Sequence, residues 1–237
     1  MTAVPANLAA QASRRPPPPL VNGDRLTRDE FERRYNAAPP GLKAELIEGV
    51  VYIMASPVSE AFHGTPHLLV AGWISWYLAF TPGLTAGDNS TVRLDLDNEP
   101  QPDAHLRIRP DRGGQSRTDE GGYVRGAPEL CAEISASSSA IDLHAKLQAY
   151  RRNGVREYIV LRTYDQAVDW FVLRGSDYVR LDAVDGVLRS EVFPGLWLDV
   201  AALLAGRVDL LLQTLQRGLA TPEHAAFVAR MNAATSA

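Results

Sequence analysis

Three residues are placed where their side chains could act on one substrate atom: Asp103, Glu133 and Lys146. Asp103 follows Pro102, which sets an extended entry to it. Glu133 lies 30 residues further on, in a stretch where Leu130, Ala132 and Ile134 share one strand face and Cys131 and Glu133 the other. Lys146 comes 13 residues after Glu133, on a predicted helix. An Asp and a Glu from neighbouring strands, aimed at one point, make a hard-oxygen site suited to Mg²⁺ or Mn²⁺. A lysine beside them could orient an attacking water or offset charge on a phosphorane. Each residue also has a plainer reading. Asp103 could cap a turn, and Lys146 could form a surface ion pair with Asp142, four residues before it. Glu133 is harder to explain away, because a carboxylate inside an apolar strand needs a partner or a metal.

The elements around these residues read as one mixed α/β pattern. Residues 1–23 are expected to be a disordered Pro-rich leader. Thr27 and Glu30 have capping-box spacing, which predicts a short helix to about Ala38, stopped by Pro39-Pro40. ELIEGVVYIM, from Glu45 to Met54, predicts a hairpin, with Glu45 and Glu48 as possible cross-strand charge partners. A long buried helix is expected from about Ser59, or nearer Pro66, to Phe80; His63 and His67 lie at its head, as ligands or as packed and capping groups. Thr91–Leu96 alternates as a half-buried strand and is expected to pair with Gln101–Ile108 across an Asp-Asn turn. Residues 109–126 read as a loop, Glu129–Ser135 as a strand and Ala140–Asn153 as a helix stopped by Gly154. A strand at Glu157–Leu161, a hairpin across Gly175 and a short strand at Leu196–Leu198 follow, then helices over about 200–218 and 222–232.

Composition narrows the function classes. The 237 residues carry 24 Lys and Arg against 28 Asp and Glu, a formal net charge of −4. That balance argues against a protein that coats nucleic acid, though not against a local basic patch. Arg151 and Arg152 after Lys146, and Arg107 and Arg109 in the segment before the Gly-rich loop, are candidate contacts to a phosphate backbone or else a solvated face. Few aromatics interleave these charges, so a stacking platform for single strands has little support there. One cysteine, Cys131, excludes a disulfide framework and fits a reducing cytoplasm. No apolar stretch reaches the roughly 20 residues of a membrane span, and no phosphate-binding or dinucleotide fingerprint points to an organic cofactor.

The words around the acidic residues add a resemblance. ELIEG-VVYIM-ASP, a His at the head of a helix, QPDA, GAPEL-x-AEIS, DLHAKLQAYRRNGVREYIV and FPGLWLDVAALL occur in this order over about residues 27–205. Together they resemble the Uma family of restriction endonucleases, within the PD-(D/E)xK nuclease superfamily. The resemblance implies a restriction-endonuclease-like α/β (mixed α+β) core: a central mixed sheet flanked by helices over 24–205, with a C-terminal helical extension over 206–237. It implies Asp103 and Glu133 as metal ligands for Mg²⁺ or Mn²⁺, and Glu45 as an acidic residue contributed from the first strand. The lysine expected two residues after Glu133 is replaced by Ser135, and its role shifts to Lys146 on the next helix. His63 matches a recurrent histidine and, with Ser135, is an accessory candidate. The usual Ser-Pro-Ser-Thr bend is here Ser135-Ala136-Ser137-Ser138.

The expected function is metal-dependent hydrolysis of DNA phosphodiester bonds. Duplex cleavage suggests a homodimer, with Leu210–Leu212 as contacts unless they pack on the core. The alternative is a nuclease fold without turnover, serving as a nucleic-acid-binding or protein-interaction module.

Overall fold

The computed structural model describes residues 16–54 and 57–233. Helix α1 (Arg28–Tyr35) leads into a hairpin of β1 (Ala44–Ile47) and β2 (Val50–Ile53). A π-turn at Glu60–Gly64 runs into α2 (Thr65–Ala79), with Pro66 in its first turn. Strands β3 (Leu84–Asp88), β4 (Val92–Arg93), β5 (Ala104–Ile108), β6 (Arg117–Thr118), β7 (Val124–Arg125) and β8 (Leu130–Ser135) follow. A second π-turn, Ile141–Lys146, precedes α3 (Leu147–Asn153). The chain continues through β9 (Glu157–Arg162), β10 (Ala167–Arg174), β11 (Asp177–Arg180), β12 (Val187–Arg189) and β13 (Trp197–Asp199). It closes with α4 (Val200–Leu204), α5 (Val208–Leu219) and α6 (Pro222–Ala233).

The central sheet has six strands in the order β11-β10-β9-β8-β5-β3. Only β8 and β9 run parallel, with Leu130 opposite Glu157, and the other neighbours are antiparallel. This is the mixed α/β architecture expected from the sequence. One sheet face, with Leu106, Ile134 and Trp170, buries α2 through Val70, Trp73, Ile74 and Tyr77. The other face carries Cys131 and Tyr158 against Tyr150 of α3. A smaller cluster of Phe31, Leu46 and Val51 fixes α1 to the β1–β2 hairpin.

Several expectations change. Of the predicted leader, residues 1–15 lie outside the described residues. Its end is ordered by pairing: Leu20 is buried, Gly23 N–H donates to the Val51 carbonyl, and Arg25 bridges Val50. Thr27 is the α1 N-cap but makes no side-chain cap, and the Glu30 carboxylate that would complete the box is taken by Arg33 and Arg34. The segment 91–96 does not pair with β5. The Asp95 carboxylate accepts from Asp97 N–H and the Asn98 amide, folding a tight turn, and Pro100 and Pro102 have no N–H for a ladder. Strand β4 therefore pairs with β7, while β5 pairs with β3 and β8. The predicted 200–218 helix breaks at Gly206, whose φ of 67° suits glycine. Residues after 205 are integral to the fold: Leu211, Leu215, Phe227 and Met231 belong to the main core.

Candidate active site

The C-terminal end of β8 opens on a cleft of about 290 Å³. Glu133 is the fourth residue of β8 and points away from the α2 side; only 4% of it is exposed. β5 starts just after Asp103, and the antiparallel register of β5 with β8 carries that carboxylate back to β8, where its Oδ2 accepts Ile134 N–H at 2.6 Å. Glu45 reaches the same cleft from β1, its Oε1 accepting Gln101 N–H at 2.5 Å. Lys146 closes the second π-turn and enters the cleft from below. One extra residue per turn in such a winding re-aims the side chains that follow it.

Lys146 Nζ lies 2.9 Å from Glu45 Oε2, 3.0 Å from Glu133 Oε1 and 3.7 Å from Asp142 Oδ1. The reading of Lys146 and Asp142 as a surface pair therefore fails, since they are 4% and 1% exposed. The Tyr150 hydroxyl donates to Glu133 Oε1 at 2.9 Å, and Ser138 Oγ donates to Asp142 Oδ2 at 2.5 Å. Burial pushes the Glu133 and Glu45 carboxyls up. Burial opposes charge on Lys146 as well, but Glu133, Glu45 and Asp142 together drive its pKa well up. One ammonium among three buried carboxyls is thus held charged, while burial disposes the two glutamates toward their neutral forms.

His63 bridges the other wall. Its Nδ1 donates to the Ile134 carbonyl at 3.1 Å and its Nε2 faces Asp103 Oδ1 at 3.4 Å. Hydrogen bonding to Asp103 raises the His63 pKa. Burial of Asp103 works against its ionisation, but His63 and Ile134 N–H outweigh it and hold that carboxyl low. Two carboxyls of the same cleft are therefore driven in opposite directions, Asp103 ionised and Glu133 toward its neutral form, a separation that acid–base sites exploit.

The structure thus brings Asp103, Glu133, Glu45, Lys146 and His63 to one cleft. Ser135 is wholly buried beside it, with its hydroxyl on Ser139 and its carbonyl accepting Thr163 N–H, so it shapes the bend while Ala136, Ser137 and Ser138 form the wall. None of the four arginine candidates lines the cleft. Arg107 is only 5% exposed and its guanidinium donates to Thr118, so it is no backbone contact. Arg109 pairs with Asp111, Arg151 with Asp177 and the Ser176 carbonyl, and Arg152 with Glu48. Sequence reasoning paired Asp142 with Lys146 but placed the pair at the surface, and it missed Tyr150 as a member of the cluster. The available signal was their spacing, four residues to either side of Lys146.

The donor set suits a hard divalent cation only in part. Asp103 and Glu133 line one cleft, and both protein contacts to Glu133 use Oε1, leaving Oε2 for a ligand. Among the described residues no group of three or more His, Cys, Asp and Glu side chains is arranged to hold a metal ion alone. Mg²⁺ commonly takes one or two carboxylates and completes its shell with water and substrate phosphate oxygens. The residues present fit that mode and not a closed protein cage.

A mixed sheet with a buried acid–lysine cluster at the end of a parallel strand pair defines a nuclease-like α/β fold. A protein described as a "putative nuclease belonging to DUF820", from Anabaena variabilis ATCC 29413, shares it: 16% identity, 76% of this chain and 98% of that chain covered, TM-score 0.58. The Uma2 family model, described as "Putative restriction endonuclease", matches residues 28–201, and the chain belongs to that family. No curated protein matches the chain. Among the described residues no helix is long and apolar enough to cross a membrane.

Proposed function

We propose that this protein is a divalent-metal-dependent endonuclease that hydrolyses phosphodiester bonds in DNA. The observation that carries the reading is the Lys146 ammonium clamped between Glu45 and Glu133, in the cleft that Asp103 also lines. Asp103 and Glu133 would hold Mg²⁺ or Mn²⁺. When bound, the ion would polarise the phosphate and lower the pKa of a water. Tyr150 fixes the rotamer of Glu133, and Ile134 N–H fixes that of Asp103. Lys146 is charged and held at two points, so it would position the attacking water or offset charge developing on phosphorus. Glu45 holds Lys146 in place while itself tied to Gln101 N–H. Cutting both strands of a duplex calls for two such sites, so a homodimer is proposed. Leu210 and Val208 on α5 are its candidate contacts, while Leu211 is committed to the core.

One observation favours a fold without turnover: Glu133 and Asp103 are each already answered inside the protein. Titration of Mg²⁺ and Mn²⁺ into the wild type and Glu133→Gln, followed by cleavage of plasmid, linear, single-stranded and branched substrates, separates the two readings. The nuclease reading expects binding and nicking by the wild type and a loss of about 10²–10³-fold or more in rate in the variant. Cleavage surviving both Glu133→Gln and Asp103→Asn would overturn it.

A further inference from the structure

The mouth of the cleft is aromatic where a basic rim was expected. Tyr164 lines the cleft and the Phe62 ring packs against it, centroids 4.4 Å apart and planes inclined by 30°. Phe62 is 39% exposed and Tyr164 61%. Neither belongs to any of the three core clusters, so their rings are not needed to close the fold. Exposed Val58 and Met54 continue the apolar rim.

Both rings are anchored on elements that touch the catalytic groups. Phe62 directly precedes His63, which contacts Asp103 and the Ile134 carbonyl, and Ser59 Oγ accepts Phe62 N–H at 3.3 Å. Tyr164 lines the cleft from the β9–β10 turn. That turn is pinned by Arg162 to Asp165 and Asp169, by Gln166 to the Thr163 carbonyl, and by Thr163 N–H to the Ser135 carbonyl at the end of β8. The platform is therefore preorganised, which lowers the ordering cost of binding. Charge points the same way. The lining holds the carboxyls of Glu45, Asp103, Glu133 and Asp142 against Lys43, Lys146 and His63, so it offers little net attraction to a phosphate backbone. Something other than phosphate contacts must hold the strand at the cut.

We infer that Phe62 and Tyr164 form a stacking platform for an unpaired base next to the scissile phosphate, so that the substrate presents unpaired nucleotides at the site of cleavage. This rests on the nuclease reading for the position of the phosphate. A base inside a duplex is stacked on both faces and has none free for Tyr164, whereas a single strand, a frayed end or a branch point offers one. Both rings are positioning residues for the substrate.

The test uses the full chain with Ca²⁺ in place of Mg²⁺ and an oligonucleotide carrying one fluorescent 2-aminopurine. It is presented as single-stranded DNA, as single-stranded RNA, and annealed to its DNA complement. Stacking quenches the fluorophore. Quenching is expected with an unpaired strand and not with the duplex, and whichever unpaired strand binds more tightly identifies DNA or RNA as the source. The double variant Phe62→Ala/Tyr164→Ala should weaken unpaired-strand binding by about 5- to 150-fold, from the usual worth of one stacked base. Tyr164→Phe, which keeps the ring, should retain both quenching and affinity. Equal affinity of the wild type and the double variant, equal quenching by the duplex, or no quenching by either single strand would each overturn the inference. Strands stacked but never cut in Mg²⁺ would remove the nuclease reading and leave the stacking platform alone, without a scissile phosphate beside it. Strands cut without stacking would do the reverse.

Discussion

Glu133 and Glu157 are buried acids on adjacent parallel strands, at opposite ends of the same sheet. At the far end, Glu157 accepts Glu191 N–H, Val192 N–H and the Ser190 hydroxyl. Its neighbour Glu129, just before β8, likewise accepts Ile108 N–H and Gln115 N–H. Those two carboxyls act as staples that satisfy loop backbone which would otherwise be buried without partners. At the other end Glu133 is answered by the side chains of Lys146 and Tyr150 and faces a cleft. Burial of an acid is therefore no mark of catalysis. What distinguishes the two ends is whether the donors are fixed backbone or titratable side chains, and whether space remains beside them.

The sharpest test of this contrast is Lys146→Met. It leaves Glu45, Glu133 and Asp142 without their cation, and should cost about 3–5 kcal/mol of stability near neutral pH, as well as cleavage. Chemical denaturation should show much of that loss recovered in acid, where the carboxyls are protonated. Glu129→Ala attacks the other end. It strands two buried N–H groups and should cost about 2–4 kcal/mol, while calorimetry and cleavage assays find a lower Tm with Mg²⁺ affinity and rate per folded molecule unchanged. If Glu129→Ala removed metal binding, the division between the two ends would collapse.

These two ends were not equally legible in the sequence. Asp103, Glu133 and Lys146 stood out because their types are unusual in their local pattern, and the register of β5 with β8 joins the first two. The rest of the cluster was hidden by context. Tyr150 lies at an apolar position of its helix with Leu143 and Leu147, a pattern that gives no sign of its hydroxyl reaching Glu133. Strand β3, Leu84-Thr-Ala-Gly-Asp88, has almost no strand signature. It pairs because Gly87 leaves room for the His105 ring, whose Nε2 would lie 2.4 Å from any Cβ placed there. Arg107 looked like a phosphate ligand because its charge was visible and its inward strand face was not. The aromatic pair was missed because Phe62 and Tyr164 are 102 residues apart, and nothing in local pattern joins two loops.

The smallest expected effect is a pH dependence. Burial raises the Glu157 carboxyl from the usual 4.5 to about 7, despite the hydrogen bonds from Ser190, Val192 and Glu191 that favour its ionised form. The folded state thus holds this proton more tightly than the unfolded chain. The stability it contributes is fully present below about pH 4.5 and is lost as pH rises through about 7, a change of roughly 3 kcal/mol at most. Denaturant midpoints measured from pH 4.5 to 8 should fall across this window. The same series for Glu157→Gln should be flatter, with the cleft chemistry untouched.

The stitching of α2 to the end of the chain governs how this protein must be made. Trp73 donates to the Trp197 carbonyl, Tyr77 to the Pro194 carbonyl, and Thr81 meets His224. α2 holds no Asp, Glu, Lys or Arg; its inner face packs first on β3 and β5, and its cover is completed by Leu211 and Leu215 of α5, more than 100 positions later. On the ribosome, where synthesis runs at about 5–20 residues per second, that face waits several seconds for its cover. The emerging chain therefore carries part of that apolar face uncovered until α5 and α6 arrive. A chain cut short before about residue 190 would keep Asp103 and Glu133 but leave that part of the α2 face without its cover.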